Sequence, residues 1–124
     1  MKLAHIALSV SDSREITDFY MNILGFTQIK TFTLSPTLAE KLFNLSLETS
    51  VVHLQKEDLI LEIFIDPESL WQRFNHICLY ISDRETLMIN AKNYHYPTTR
   101  VQREGYDLLF ISDHSGNRFE LKAC

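Results

Sequence analysis

Cysteine, glycine and proline are all scarce in this chain: two, three and three residues of 124. The two cysteines are Cys78, inside an apolar run, and Cys124, the last residue; they form neither a disulfide framework nor a CxxC metal knuckle, so a reducing, cytoplasmic setting is the expectation. So little glycine and proline excludes collagen-like and low-complexity chains. No uninterrupted apolar run approaches the roughly 20 residues of a membrane-spanning helix, and the chain reads as soluble. A basic surplus is lacking too. Twelve lysines and arginines are scattered against sixteen acidic residues, a net charge of −4, which leaves no electrostatic footprint for nucleic acid or an anionic membrane. A small-molecule or protein partner is expected instead. What remains, 45% hydrophobic and 23% charged, suits one compact domain. The opening MKLAHIALSV has the outline of a weak signal peptide, but a near copy of it recurs in mid-chain, where no targeting peptide acts.

That copy organises the chain. His5-Ile6-Ala7-Leu8-Ser9-Val10-Ser11-Asp12 aligns with His76-Ile77-Cys78-Leu79-Tyr80-Ile81-Ser82-Asp83 at an offset of 71, with five of eight positions identical. Each copy is followed by a helical pattern, a break, and strand-like runs that end in a carboxylate: Glu62 in LILEIFID and Glu120 in NRFELKAC. The carboxylates are offset by only 58, so the first half holds 13 extra residues. These lie around Ser35 to Asn44, where Ser precedes Pro at the first helical position and Leu38 stands one turn before Leu42, predicting a short inserted helix.

The remaining elements follow from period. Asp12-x-x-Glu15 resembles a capping box, and Ile16, Phe19, Tyr20, Ile23 and Leu24 form an amphipathic stripe stopped by Gly25. In the second half Ser82-x-x-Glu85 is the expected cap, Leu87, Ala91 and Tyr94 the stripe, and Pro97 the stop. Strands are predicted near residues 2–10, 27–33, 49–56, 59–66, 75–81, 98–103, 106–112 and 117–123. The chain is therefore read as a single α+β domain of two tandem βαβββ modules, about 1–66 and 75–124.

Because strand side chains alternate between faces, Ile6, Leu8 and Val10 go with the helix and His5, Ala7 and Ser9 face away. Likewise His76, Cys78 and Tyr80 oppose Ile77, Leu79 and Ile81; Glu62 and Phe64 oppose Leu61, Ile63 and Ile65; Glu120 opposes Phe119 and Leu121. Two histidines and two glutamates thus share the non-helix side. Taken singly, a strand histidine is usually a hydrogen-bonded core residue and a strand glutamate usually points to solvent. Their recurrence at equivalent places in both copies favours metal binding, since an unpaired buried carboxylate is costly and a divalent ion compensates it. His53, alternating with Val51 and Gln55, is expected to line the same cavity, supporting the ligands or touching substrate. His95 and His114 read as surface residues.

The segments HIALSVSDSREITDFYMNILGF, LILEIF, HICLYISD and DHSGNRFEL together resemble the vicinal oxygen chelate superfamily of glyoxalase I, methylmalonyl-CoA epimerase, extradiol dioxygenases and the fosfomycin- and bleomycin-resistance proteins. The likeness spans essentially the whole chain. It implies paired βαβββ modules, a curved mixed sheet around a central cavity, and commonly a homodimer. It places one divalent ion (Ni, Zn, Co, Mn or Fe) on His5, Glu62, His76 and Glu120. It further implies an enediolate or enolate stabilised by that ion, with Glu120 as the base and Glu62 as its partner. Phe64, Trp71 and Tyr80 are candidates for the apolar wall of the substrate pocket. Glyoxalase I enzymes similar to the bacterial form hold glutathione with an arginine and an asparagine at the positions of Ser9 and Asp66, and the glycine-rich loop is here reduced to Arg103-Glu104-Gly105. These departures argue against a glutathione adduct as substrate. The leading expectation is a metal-dependent lyase or isomerase for a small substrate with vicinal oxygens; the alternatives are an extradiol-type dioxygenase and a non-catalytic binding or resistance protein.

Overall fold

The structure is a computed structural model that describes residues 5–43, 48–67 and 76–123, apart from the side chains of residues 38 and 41–43. Among these residues the alternating runs become β1 (Ile6–Val10), β2 (Thr27–Leu34), β3 (Thr49–Lys56), β4 (Leu59–Ile65), β5 (Ile77–Ile81), β6 (Thr98–Val101), β7 (Leu108–Ser112) and β8 (Arg118–Ala123). They form two four-stranded sheets of the same design, β1-β4-β3-β2 and β5-β8-β7-β6. In each, the first strand of the module pairs in parallel with the last, and the other pairs are antiparallel. The duplication read from the repeat is thus a duplication of topology. The inserted helix is present as α1 (Pro36–Phe43), with proline at its first position. No helix among the described residues is long and apolar enough to cross a membrane.

Two helices depart from expectation. The first is a π-helix, Ile16–Met21, whose wide turns are closed by Asn22 N–H to Thr17 O at 2.9 Å and Leu24 N–H to Phe19 O at 3.0 Å. The wider turn lets the adjacent Phe19 and Tyr20 both be fully buried. Gly25 ends it at φ +78°, and Lys56 Nζ caps the Leu24 carbonyl at 2.7 Å. The second helix, α2 (Arg84–Asn93), is capped by Asp83, whose carboxylate accepts from Thr86 N–H at 3.1 Å; Ser82 is not the cap and Glu85 instead pairs with Arg100. Its buried face is Met88 and Ala91. The chain leaves this helix at Asn93, ahead of Pro97, and His95 at φ +63° precedes the inward-turned Tyr96, while Tyr94 stays exposed.

Both sheets turn their helix-side residues into one core. Leu8, Val10, Leu61 and Ile63 from the first sheet join Leu109, Ile111, Phe119 and Leu121 from the second in a single buried cluster. The link is aromatic: Phe19 meets Tyr96 at 4.8 Å and Phe119 at 5.7 Å between ring centroids, and Tyr20 meets Phe119 at 6.0 Å. Truncating any of these rings to alanine would cost about 3–5 kcal/mol.

Polar side chains lock the same junction. The turn from Asp113 to Asn117 reaches the first module through five bonds: Ser11 N–H to Ser115 Oγ (2.8 Å), a contact between the Ser11 and Ser115 hydroxyls (3.2 Å), Tyr20 O–H to Asp113 Oδ2 (2.9 Å), His114 N–H to Glu15 Oε2 (3.0 Å) and Asn117 Nδ2–H to the Ser9 carbonyl (2.8 Å). Glu15 therefore does not close a capping box. Its buried carboxylate is drawn into the second module, where the His114 ring, stacked on Tyr96 at 4.2 Å, places Nδ1 3.3 Å from Glu15 Oε1. His114 lies partly at the surface, as expected, but it is a junction residue. Burial, and then the charge of nearby Asp113, push the Glu15 carboxyl from its ordinary 4.5 up to about 7. The folded protein thus holds this proton more tightly than the unfolded chain. The associated stability, about 3 kcal/mol, is complete below the unfolded value and is lost as pH rises through 7. Thermal unfolding should show a midpoint that falls between pH 5 and pH 8, and Glu15→Gln should flatten that slope; equal slopes for both proteins would contradict the assignment.

Candidate metal centre

The pairing register carries the histidines to the carboxylates. In the first sheet Ala7 lies beside Glu62 on the parallel neighbour, and His5, one step earlier on the same face, brings Nε2 to 3.8 Å from Glu62 Oε2. On the other side β3 sets His53 directly opposite Glu62, where its Nε2 lies 2.6 Å from the same oxygen. Phe32 stands edge-on to His53 at 5.4 Å, and Lys30 lies over Phe32 at 5.4 Å. The second sheet repeats the plan. Cys78 lies beside Glu120, His76 Nε2 is 3.1 Å from Glu120 Oε2, and Phe110, opposite Glu120 on β7, stands edge-on to His76 at 5.5 Å. Both carboxylates are only 13% exposed, against 42% for His5 and 32% for His76, so the imidazoles sit at the open side of each pair.

The structure brings His5 to Glu62 and His76 to Glu120, but it does not bring the two pairs together. Among the described residues no group of three or more His, Cys, Asp or Glu is placed to hold a metal ion. The shared core explains this. Since both sheets direct their helix sides inward, the faces carrying the His–Glu pairs point away from it. Beside Glu120 lies an open groove of about 250 Å³, lined by Arg84, Tyr106, Leu108 and Lys122 among others.

The remaining candidates are spread over the same faces. Phe64 is buried opposite Val51, two residues beyond Glu62; Tyr80 is 73% exposed beside Lys122; Trp71 lies outside the described residues. Lys30, Phe32 and Phe110 escaped the sequence reading. The first two reach the site face because a bulge between Gln28 and Lys30 shifts the register of β2, so that positions after it face the opposite way from simple alternation. Phe110 sits in a run, LLFI, whose apolar residues on both faces hide the alternation.

The model of the Glyoxalase/Bleomycin resistance protein/Dioxygenase superfamily matches residues 2–121. The chain belongs to this superfamily. Among solved structures, it is similar to a glyoxalase family protein from Enterococcus faecalis, with 19% identity, TM-score 0.71, and 97% of this chain and 95% of that one covered. It is similar also to a mutant of the fosfomycin resistance protein FosX from Listeria monocytogenes complexed with Mn(II) and 1S,2S-dihydroxypropylphosphonic acid, at 24% identity and TM-score 0.74, covering 97% and 90%. A third is the trypanothione-dependent glyoxalase I of Leishmania major, at 18% identity and TM-score 0.73, covering 99% and 86%. No curated protein matches the sequence. The two mixed sheets are the fold of this superfamily.

Each His–Glu pair offers donor types that suit a divalent ion such as the Mn(II) of the FosX complex. Neighbouring donors bonded to one ion at about 2.1 Å stand roughly 3 Å apart, and the His76 Nε2–Glu120 Oε2 separation of 3.1 Å is close to that, whereas Glu62 Oε2, 3.8 Å from His5 Nε2, is already met by His53 at 2.6 Å. Two imidazoles and two carboxylates are also the donor types a borderline divalent metal takes.

Cys78 reports on the second pair. Its residue is exposed, yet desolvation of the sulfur and then the charge of Glu120 hold the thiol above its ordinary range. In a Cys124→Ser background, its reaction with a disulfide reagent at neutral pH should be slower than that of free cysteine and should quicken in Glu120→Gln. Unchanged rates would separate the thiol from the carboxylate.

Proposed function

We propose that this chain is a metal-dependent glyoxalase-like lyase or isomerase, acting on a small substrate with vicinal oxygens, and that its site is completed by a second copy of the chain. The observation that carries the reading is the pair of matched His–Glu half-sites, one on each sheet, on faces that a common core turns apart. Two donors alone hold an ion poorly; His5 and Glu62 of one copy facing His76 and Glu120 of another make four. β1 and β5, each immediately preceded by its histidine, are at the edges of their sheets, where another sheet can be laid alongside.

When bound, a divalent ion (Ni, Zn, Co, Mn or Fe) supplies Lewis acidity, polarising adjacent substrate oxygens and acidifying the neighbouring C–H. The chain supplies the rest. His5 and His76 would hold the ion through Nε2. Glu120 would accept the proton from the substrate carbon beside the vicinal oxygens through a carboxylate oxygen and return it to carbon in the product, with Glu62 as its counterpart. Phe32, Phe64 and Phe110 exclude water from one side, and Tyr80 extends the wall. Lys30, Arg118 and Lys122 on the site faces favour a substrate that is anionic as well as oxygen-rich, as is the dihydroxypropylphosphonic acid held by FosX.

Metal analysis of protein purified without chelator, repeated on Ala variants, tests the site. Glu62→Ala and Glu120→Ala should each lose most bound metal. A first-module variant (H5A with E62A) mixed with a second-module variant (H76A with E120A) and refolded together should regain about a quarter of full occupancy, because random mixing makes half the dimers mixed and each of those has one intact site of two. No recovery would place the site within one chain. Unchanged metal content in the Ala variants would remove the site altogether.

A further inference from the structure

The two modules repeat each other at the carboxylates but differ in the residue across the ladder from each. β3 and β7 hold equivalent places, each beside the carboxylate strand and inside the outermost one. Opposite Glu62 stands His53; opposite Glu120 stands Phe110. An imidazole donates an N–H to a carboxylate and a phenyl ring does not. Glu62 Oε2 is accordingly held by His53 at 2.6 Å while His5 stands off at 3.8 Å, whereas in the second module the contact to the carboxylate comes from His76 itself, at 3.1 Å. The His53 and Glu62 side chains are 15% and 13% exposed, and Phe32 braces the imidazole ring from its edge.

We propose that His53 is a positioning residue that makes the two carboxylates unequal ligands: by holding Oε2 of Glu62 it presents Oε1 to the metal, while Glu120 has a phenyl ring instead of an imidazole across the ladder. The inference rests on the metal reading above. A carboxylate limited to one oxygen keeps the coordination number low and leaves positions for the substrate's two oxygens. Outer hydrogen bonds of this kind orient ligands and tune their basicity, and their loss typically lowers metal affinity about 10–100-fold.

The test uses Co(II) alone, titrated into metal-free protein, with His53→Phe, which copies the second module, and His53→Gln, whose amide N–H can still reach Oε2. His53→Phe should weaken Co(II) binding about 10-fold or more and dim its visible absorption, since a released Glu62 binding through both oxygens raises the coordination number. His53→Gln should restore affinity and spectrum together, which a purely space-filling role would not do. A second measurement needs no metal and no variant: nitrogen NMR of the metal-free protein should find the His53 proton on Nε2. Three results overturn the inference: a His53→Phe protein indistinguishable from wild type, a His53→Gln protein that behaves like His53→Phe, or a proton on Nδ1. Wild-type protein that binds no Co(II) overturns the metal reading, and this inference with it; wild type that binds normally while the His53 variants do not differ overturns this inference alone.

Discussion

One hydrophobic core serves both modules, and the ring contact of Phe19 and Tyr20 with Tyr96 and Phe119 is what joins them. A four-stranded sheet with one apolar face must cover that face, and here each sheet and its helix cover the other's. The polar face of each sheet is then left outward with its imidazole and carboxylate. Burying a charged pair on the inner face would cost several kcal/mol per ion before any metal could compensate it. The placement of the half-sites, the openness of the groove beside Glu120 and the dependence of the proposed site on a second copy all follow from which face the apolar residues claimed.

The duplication also shows how equivalent positions diverge. Both modules follow their first strand with a Ser-Asp turn and a glutamate three residues after the serine or aspartate. In the second module Asp83 caps its helix and Glu85 turns outward to Arg100. In the first, the π-helix carries Glu15 inward against His114 and Asp113, where desolvation keeps its proton near neutrality. The junction therefore combines an apolar contact indifferent to pH with a carboxyl cluster that is sensitive to it, while the outward carboxylates Glu62 and Glu120 are met by imidazoles.

Much of this was legible beforehand, for identifiable reasons. Alternation is enforced by the pleat, so the sides taken by His5, Glu62, His76 and Glu120 could be read from their apolar neighbours, and the repeat reported the topology twice. The strand ends agree within two residues wherever both fall in the described segments. Local wording failed where two structures share one pattern. A stripe at Ile16, Phe19, Tyr20, Ile23 and Leu24 suits an α-helix and a π-helix alike, and the chain takes the wider turn, with Phe19 and Tyr20 packed on Phe119. Ser-Asp offers two possible caps in sequence, and the second was used. The bulge after Gln28 carries no glycine to announce it, so Lys30 and Phe32 were missed.

The order of elements, the inserted helix and the identity of the four metal-type side chains were determined by the sequence itself, because hydrophobic period and repetition are properties of the chain before it folds. Superfamily membership was legible from the same segments. Tertiary structure alone decided which donors meet. Distance across a ladder depends on register, and that is why His53, nine residues from Glu62 in the chain, lies closer to its carboxylate oxygen than His5 does. It decided also that the two half-sites stay apart within one molecule, since which sides of two sheets press together is settled by the whole apolar surface seeking cover at once.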